Sequence, residues 1–238
     1  FESGADLARN NFFSTHEKQD SLQFKSLSAK YDLKTQLILC DAVDYIQVGD
    51  ARIFPDSLRV RIRKAAAMDT LKNAKVIANY ITKYHTFTNA TIKIAGRNAY
   101  DGKATYPYYD RDSLRSEIAI SSLAYKNAVS TAEGELLEKE NFMLSPEFAY
   151  FGKVTIKASN PGLFLEGSTK LNHPCQYTKS WMSFKDTILA KNIQIPIAED
   201  PRNAKGERLA VGFVWRQTER QDSLRIYPSF LSKMEGPE

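Results

Sequence analysis

Residues 89–94 read Asn89-Ala90-Thr91-Ile92-Lys93-Ile94, and this stretch decides the fold class. From Thr91 onward, polar and apolar side chains alternate with a period of two. Side chains along a β-strand point alternately to opposite faces, so the alternation predicts a strand with one buried face. Residues 59–63, Arg59-Val60-Arg61-Ile62-Arg63, alternate in the same way and place Val60 and Ile62 toward a core.

The same alternation recurs from about residue 35 onward. Further segments with this pattern are Glu117–Ile120, Lys153–Lys157, Asn192–Ile195 and Leu224–Ile226. Short strands, roughly ten to fourteen of them, punctuated by Gly, Pro, Asn and Asp, predict an all-β fold. Residues 1–34 lack this period, and we expect residues 1–30 to be helical or irregular. We predict that residues 1–34 flank or cap a β-rich domain over residues 35–238.

A short recurrence lies within the alternating region. The pattern [Asp/Asn]-Ala-x-[Ile/Val] occurs at 50–53, 73–76 and 89–92, with a looser echo at 127–129. Asn and Asp tolerate left-handed geometry at a bend, so each recurrence can mark a bend before a strand. This predicts a β-solenoid, similar to a parallel β-helix, with lateral hairpins. A β-sandwich or jelly roll is the alternative.

The solenoid makes two specific predictions about side chains. The first is that Ala51, Ala74 and Ala90 lie on neighbouring strands of one sheet and share a buried face. The second is a stacked column of Arg52, Lys75 and Thr91 on the outer face. Neighbouring strands lie about 4.8 Å apart, so like charges in that column would need a bound anion or nearby acids.

Composition bounds the classes of protein. The chain has 238 residues, of which 42% are hydrophobic, and this length can bury a core without metals or disulfides. Its net charge of +5 favours anionic partners only mildly, and acids and bases are interspersed, so we do not expect a nucleic-acid partner. Mean hydropathy is -0.43, and no apolar run approaches the length of about 18 residues that a transmembrane helix needs. The first twenty residues show no basic segment that leads into an apolar core, as a signal peptide would, and we expect the sequence to be an internal portion of a longer polypeptide or a processed product.

Several short segments carry a family resemblance. They are Ile53-Phe54-Pro55, Leu71-Lys72-Asn73-Ala74, Tyr84-His85-Thr86-Phe87-Thr88-Asn89-Ala90, Tyr100-Asp101-Gly102, Tyr106-Pro107-Tyr108 and Phe142-Met143-Leu144-Ser145-Pro146. Through them, residues 41–196 resemble parts of large, uncharacterised cell-envelope proteins of Bacteroidota. The resemblance implies an exported protein of many stacked β-coils, located in the cell envelope or outside the cell. It supplies no catalytic residues.

The densest polar and aromatic segment is 100–112, with four tyrosines and three aspartates. Tyrosine rings can stack on sugars while charged groups bind hydroxyls, so this segment is the predicted binding surface. Its predicted binding residues are Tyr100, Tyr106, Tyr108, Tyr109, Asp110, Arg111 and Asp112. Asp110 and Asp112 have a spacing that can serve calcium, and a packed loop with no ligand is the other reading.

Other chemistry is not expected. The sequence contains no G-x-G-x-x-G, no Walker A loop and no G-x-S-x-G, and its three histidines lack metal-ligand spacing. We therefore predict no nucleotide, no other cofactor, no metal and no catalytic residues. Paired carboxylates such as Asp41 and Asp44 leave room for a glycosidase or lyase. Cys40 and Cys175 can be free or bonded.

These observations favour an exported structural or interaction protein whose partners are glycans or other envelope proteins. The alternatives are a carbohydrate-active enzyme, either a polysaccharide lyase or a glycosidase, and a module that binds anionic glycans on the same β scaffold. A carboxylate cluster in a groove would favour the enzyme. An aromatic shelf without acids would favour the binding module, and a featureless surface would favour a structural role.

Overall fold

A computed structural model describes residues 10–174, 180–217 and 224–233, and over these residues the protein is all-β, as predicted. It has eighteen strands, three short 3-10 helices and no α-helix in this described part. The strands are β1 (Asn10–Phe13), β2 (Gln23–Ser26), β3 (Ser28–Asp32), β4 (Leu37–Asp41), β5 (Ile46–Val48), β6 (Ala51–Phe54), β7 (Val60–Ile62), β8 (Leu71–Ala78), β9 (His85–Gly96), β10 (Ala99–Tyr109), β11 (Arg115–Lys126), β12 (Val129–Leu136), β13 (Met143–Ser145), β14 (Phe148–Lys157), β15 (Leu163–Leu171), β16 (Met182–Ile188), β17 (Leu209–Gln217) and β18 (Leu224–Lys233). The 3-10 helices are η1 (Glu17–Gln19), η2 (Lys64–Ala66) and η3 (Glu138–Glu140).

The strands pair mainly with their neighbours along the chain. Thirteen strands form one sheet in the order β1-β2-β5-β6-β8-β9-β10-β11-β12-β14-β15-β16, with β13 beside β14. The smaller sheets are β3-β4-β7 and β17-β18. The strand pairs are antiparallel, whereas the coils of a parallel β-helix pair in parallel. Antiparallel pairing is compatible with the sandwich alternative.

The chain divides into two compact units. Unit 1 comprises residues 1–107, 117–134 and 155–161, and unit 2 comprises 108–116, 135–154 and 162–238. The core of unit 1 includes the fully buried side chains of Ala51, Ile53, Ala74, Val76, Ala90 and Ile92. Unit 2 buries Leu144, Tyr150, Val154, Leu163 and Leu165, and a separate apolar cluster of Met182, Leu209 and Leu231.

The recurring motif lies on neighbouring strands, as predicted. β6, β8 and β9 are adjacent in the large sheet, and the three motif alanines are fully buried in unit 1. Ala74 lies directly opposite Ala90. The expected column of Arg52, Lys75 and Thr91 does not form. The antiparallel register sets Arg52 opposite Ile77 and Lys75 opposite Phe54, so the two cations are not paired across the strands.

At 50–53 the bend comes before the strand, as predicted, since Gly49 and Asp50 form the turn before β6. At 73–76 and 89–92 the left-handed bend lies inside the strands instead. Asn73 in β8 and Asn89 in β9 have φ values of 53° and 50°, and the β8–β9 register shifts at these positions. Each asparagine is the extra residue of a β-bulge, which bends a strand. The looser echo is different, because Asn127 and Ala128, both left-handed, form the two-residue turn that joins β11 to β12.

The N-terminal segment is more regular than expected. Residues 10–30 contain β1, β2 and the start of β3, so the expectation of helix or irregular structure is wrong there. β2 joins the large sheet through the pair Phe24 and Ile46. Whether the segment serves as a cap stays a prediction. Cys40 is a free, buried thiol whose pKa is raised to about 11 by burial, and Cys175 lies outside the described residues.

The bulge at Asn89 generates a prediction about stability. Asn89 is solvent-exposed, so its main structural contribution is the left-handed backbone. Replacing it with valine should lower the free energy of unfolding by about 1–2 kcal/mol, because a β-branched residue disfavours left-handed geometry. Asn89→Gly should stay near wild type, since glycine adopts that geometry without strain. Urea unfolding measures both.

The matched control is Thr91→Val, two positions along the same strand on the exposed face. Its backbone is extended, so valine should change stability by less than about 0.5 kcal/mol. Equal effects of valine at positions 89 and 91 would contradict the assignment of the bend to Asn89.

Candidate functional site

Tyr100, the first predicted binding residue, is a core residue of unit 1. Only 3% of it is exposed, and its hydroxyl donates to Ser130 Oγ at 2.5 Å. Ser130 in turn donates its hydroxyl and its backbone N–H to the carboxylate of Asp50. Burial raises the pKa of Tyr100, which therefore stays protonated as a donor. The ring ties β10 to β12 and offers no surface to a ligand.

Tyr106 is half-buried beside a fully buried histidine in unit 1. The Tyr106 hydroxyl lies 3.1 Å from His85 Nδ1, and His85 Nε2 lies 2.7 Å from the backbone oxygen of Asn160. A carbonyl can only accept, so Nε2 carries the proton and Nδ1 accepts from Tyr106. Burial raises the pKa of Tyr106 to about 12 and lowers the pKa of His85.

Adjacent tyrosines differ in unit 2. Tyr108 is 1% exposed, and its hydroxyl donates to the backbone oxygen of Leu144 at 2.7 Å. Tyr109 is 49% exposed. The two side chains lie on a strand, so consecutive residues point to opposite faces. Tyr108 is therefore a core residue and Tyr109 is available to solvent.

The acidic loop after β10 is held by its own hydrogen bonds. The Asp110 carboxylate is buried and accepts the N–H groups of Asp112 at 2.9 Å and Leu114 at 2.8 Å. This is an Asx-type turn. Arg111 is exposed and donates to Glu147 at 2.6 Å. Of the seven predicted residues, Tyr109, Arg111 and Asp112 face solvent, and ligand binding by them stays a prediction.

Sequence reasoning missed a polar cavity in unit 1, which we call the Tyr45 cavity. It encloses 370 Å³, within the size range of small-molecule sites. Tyr45, 38% exposed, contributes an aromatic ring to its wall. Four side-chain amides also line it, those of Asn11, Gln23, Gln47 and Asn98.

The charged lining comprises two cations and one carboxylate. These are Lys25, Arg97 and Asp44. Gln23 and Lys25 are exposed on β2 while Phe24 between them is buried, so the strand alternation sends both polar groups to one face. Asn11 on β1 lies opposite Lys25, which brings a third polar group to the same edge.

Two turns and η1 are joined by backbone hydrogen bonds beside the cavity. Gly49 N–H donates to the Arg97 carbonyl at 2.7 Å, and Arg97 N–H donates to the Gln19 carbonyl at 2.9 Å. Gly49 is left-handed with φ of 57°, and a Cβ there would lie 2.5 Å from the Tyr125 ring. A side chain at position 49 would therefore be strained, which favours glycine. The two backbone hydrogen bonds of Arg97 fix the position of the turn that carries it.

The side chains of Arg52 and Phe54, both on β6, pack against the Tyr45 ring. The Arg52 guanidinium lies 4.7 Å from the Tyr45 ring centroid and 5.1 Å from that of Tyr80. Phe54 packs on Tyr45 with 5.8 Å between ring centroids. Arg52 Nε is buried with no hydrogen-bond partner among the described residues. Contact with two rings compensates part of the cost of desolvating this cation and orients Tyr45.

Among the described residues that line the cavity, the one carboxylate is that of Asp44. Most glycosidases use two carboxyl groups about 5–9.5 Å apart. Within the described residues, no group of three or more His, Cys, Asp or Glu side chains is arranged for a metal ion.

Comparisons with known proteins give no relative. No family model, no curated protein and no solved structure matches this chain. In the described part of the chain, none of the helical segments has the length and apolar character to cross a bilayer.

The different environments of Tyr108 and Tyr109 can be tested by removing one hydroxyl at a time. Tyr108→Phe should lower the free energy of unfolding by about 1–3 kcal/mol, because the buried Leu144 carbonyl loses its donor. Tyr109→Phe should change it by less than about 0.5 kcal/mol. Denaturant titration of the two variants measures the difference. A larger effect at Tyr109 would contradict the assignment of Tyr108 to the core.

His85 should make the stability of the protein pH-dependent. Its folded-state pKa is lowered, so between that pKa and the unfolded value of about 6.5 the unfolded chain binds more protons. Stability is therefore full above about pH 6.5 and falls as the pH drops, by at most about 1.4 kcal/mol per pH unit. Thermal unfolding between pH 7.5 and 5.5 measures this.

The matched variant is His85→Gln, which keeps an amide donor for the Asn160 carbonyl but has no proton to gain. Its stability should depend less on pH over the same interval than that of the wild type. Identical pH profiles for the two proteins would show that His85 does not titrate on unfolding in this range.

Proposed function

We propose that this chain is an interaction module of an exported cell-envelope protein and that it binds an anionic glycan in the Tyr45 cavity. One observation carries the proposal. A single 370 Å³ cavity combines an aromatic ring, four amides and two cations that have no ion-pair partner among the described residues. Sites for small polar ligands combine an apolar surface with a few placed polar groups in this way.

The lining groups match the chemistry of a sugar. A side-chain amide presents both donors and acceptors, so it can pair with neighbouring hydroxyl groups that also do both. The exposed part of Tyr45 offers an apolar face to the C–H side of a sugar ring. Lys25 and Arg97 add positive charge, which attracts an anionic substituent.

Among the functions considered, the cavity supports a binding module over an enzyme. In the described lining, Asp44 by itself does not supply the acid and base pair of a glycosidase. A purely structural role gives no reason for polar side chains from β1, β2, β5 and the β9–β10 turn to line one cavity.

The wider setting is also part of the proposal. The resemblance of residues 41–196 to exported Bacteroidota envelope proteins supports that location, with glycans or other envelope proteins as partners. The consecutive antiparallel hairpins of the large sheet support an extended β layer as the frame of the module. In that arrangement the cavity lies on a rigid β scaffold, where binding residues keep their geometry.

The proposal is tested by Tyr45→Ala in a screen against a glycan array followed by calorimetry. We expect the wild-type protein to bind an anionic glycan and the variant to lose about 30-fold or more in affinity, since an aromatic anchor is typically worth 2 kcal/mol or more. Far-UV circular dichroism and the unfolding temperature check that the variant is folded.

Two other tyrosines serve as controls. Tyr31→Ala removes an exposed ring of unit 1 outside the cavity and should leave binding unchanged. Tyr109→Ala tests the segment that the sequence favoured. Loss of binding in Tyr109→Ala with retention in Tyr45→Ala would move the site to residues 100–112 and refute the proposal.

A further inference from the structure

We infer that the anionic group of the glycan is the carboxylate of a uronic acid and that the Arg97 guanidinium binds it. This inference rests on the proposed function, and it names the chemical class of the sugar and the residue that selects it. It is carried by the fixed backbone of Arg97, by the lack of an ion-pair partner for its guanidinium among the described residues and by the charge balance of the described lining.

Arg97 lies in the two-residue turn between β9 and β10. Its backbone N–H and C=O are both bonded to other segments, to Gln19 and Gly49 respectively. The next residue, Asn98, donates its side-chain amide to Asp20 at 3.1 Å. An exposed arginine on such a turn starts from a defined Cα position, which reduces the entropy lost when its side chain orders on a ligand.

The guanidinium of Arg97 makes no ion pair with any described residue. Other exposed arginines of the protein do: Arg59 pairs with Asp41 at 2.9 Å and Arg111 with Glu147 at 2.6 Å. Lys25 in the same cavity is likewise without an ion-pair partner in the described part. Two unpaired cations that line one concave surface raise the local potential for anions.

The charge balance favours a single negative charge. Among the described lining residues, Lys25 and Arg97 against Asp44 leave one net positive charge. A uronate residue carries one negative charge on a planar group of two oxygens. The planar fork of a guanidinium donates two parallel hydrogen bonds to such a group. The lining amides keep donors and acceptors for the hydroxyls of the same sugar, while the Asn98 amide also donates to Asp20 and the Asn11 amide to Gln23.

The experiment compares acidic oligosaccharides with their methyl esters, which keep the sugar and remove the charge. The probes are tetrasaccharides of galacturonate, mannuronate and glucuronate, with a sulfated neutral tetrasaccharide as a further anion. Isothermal titration at physiological salt should give at least tenfold tighter binding of one uronate than of its own ester. The sulfated probe should bind more weakly than that uronate.

Two substitutions separate charge from geometry. Arg97→Gln should abolish the preference for acid over ester, with the larger loss of affinity falling on the acid. Arg97→Lys keeps the charge but not the fork, and it should lose most of the preference as well. Arg59→Gln, which removes an exposed arginine of unit 1 outside the Tyr45 cavity, is the matched control and should bind as the wild type does.

The outcomes distinguish the inference from the function on which it rests. Equal binding of acid and ester, tighter binding of the sulfated probe, or full preference in Arg97→Lys would overturn the uronate inference and leave glycan binding intact. Absence of binding to every uronate while another anionic glycan binds would also overturn it. Absence of binding to any glycan would refute the proposed function itself.

Discussion

A strand that bends must keep its apolar side chains on the buried side, and in β8 and β9 a left-handed asparagine inside the strand meets this requirement. In β9 the buried residues before the bend are His85 and Phe87, and those after it are Ala90, Ile92 and Ile94. The buried residues therefore have odd numbers before Asn89 and even numbers after it. Strict alternation through the bend would send one of these two sets to solvent. The extra residue of the bulge restores the phase.

The same requirement couples neighbouring strands. Asn73 in β8 and Asn89 in β9 flank the cross-strand pair Ala74 and Ala90, so the two bulges lie side by side. A bulge in only one strand would leave the register of its partner wrong for the rest of the sheet. The position of the β9–β10 turn depends on this phase, because the strand that follows Asn89 leads directly to Arg97. Cavity geometry in unit 1 is thus a consequence of bends several residues away.

The sequence predicts which positions of a strand are buried better than it predicts how the strands pair. Alternation at Ile92 and Ile94 predicted buried positions correctly, and the motif predicted neighbouring strands. The period of two is the same in parallel and antiparallel sheets, so the direction of pairing was not contained in it. Tyr108 and Tyr109 follow the same logic, since adjacent residues on a strand cannot share a face. The Tyr45 cavity was not predictable, because its lining spans Asn11 to Asn98 and no local motif connects those residues.

Burial decides which polar residues are structural and which are available for chemistry. Tyr100 and His85 each bond to groups remote in sequence, Ser130 and Asn160, and a buried polar group without such a partner would be costly. These bonds favour one strand arrangement over others, because a slipped register would leave them unmade. Tyr45 is a tyrosine like Tyr100, but it is partly exposed rather than buried. The Arg52 guanidinium packs on the Tyr45 ring while part of the ring stays exposed. The ring is therefore already ordered in the free protein, and less side-chain entropy is lost when a ligand binds.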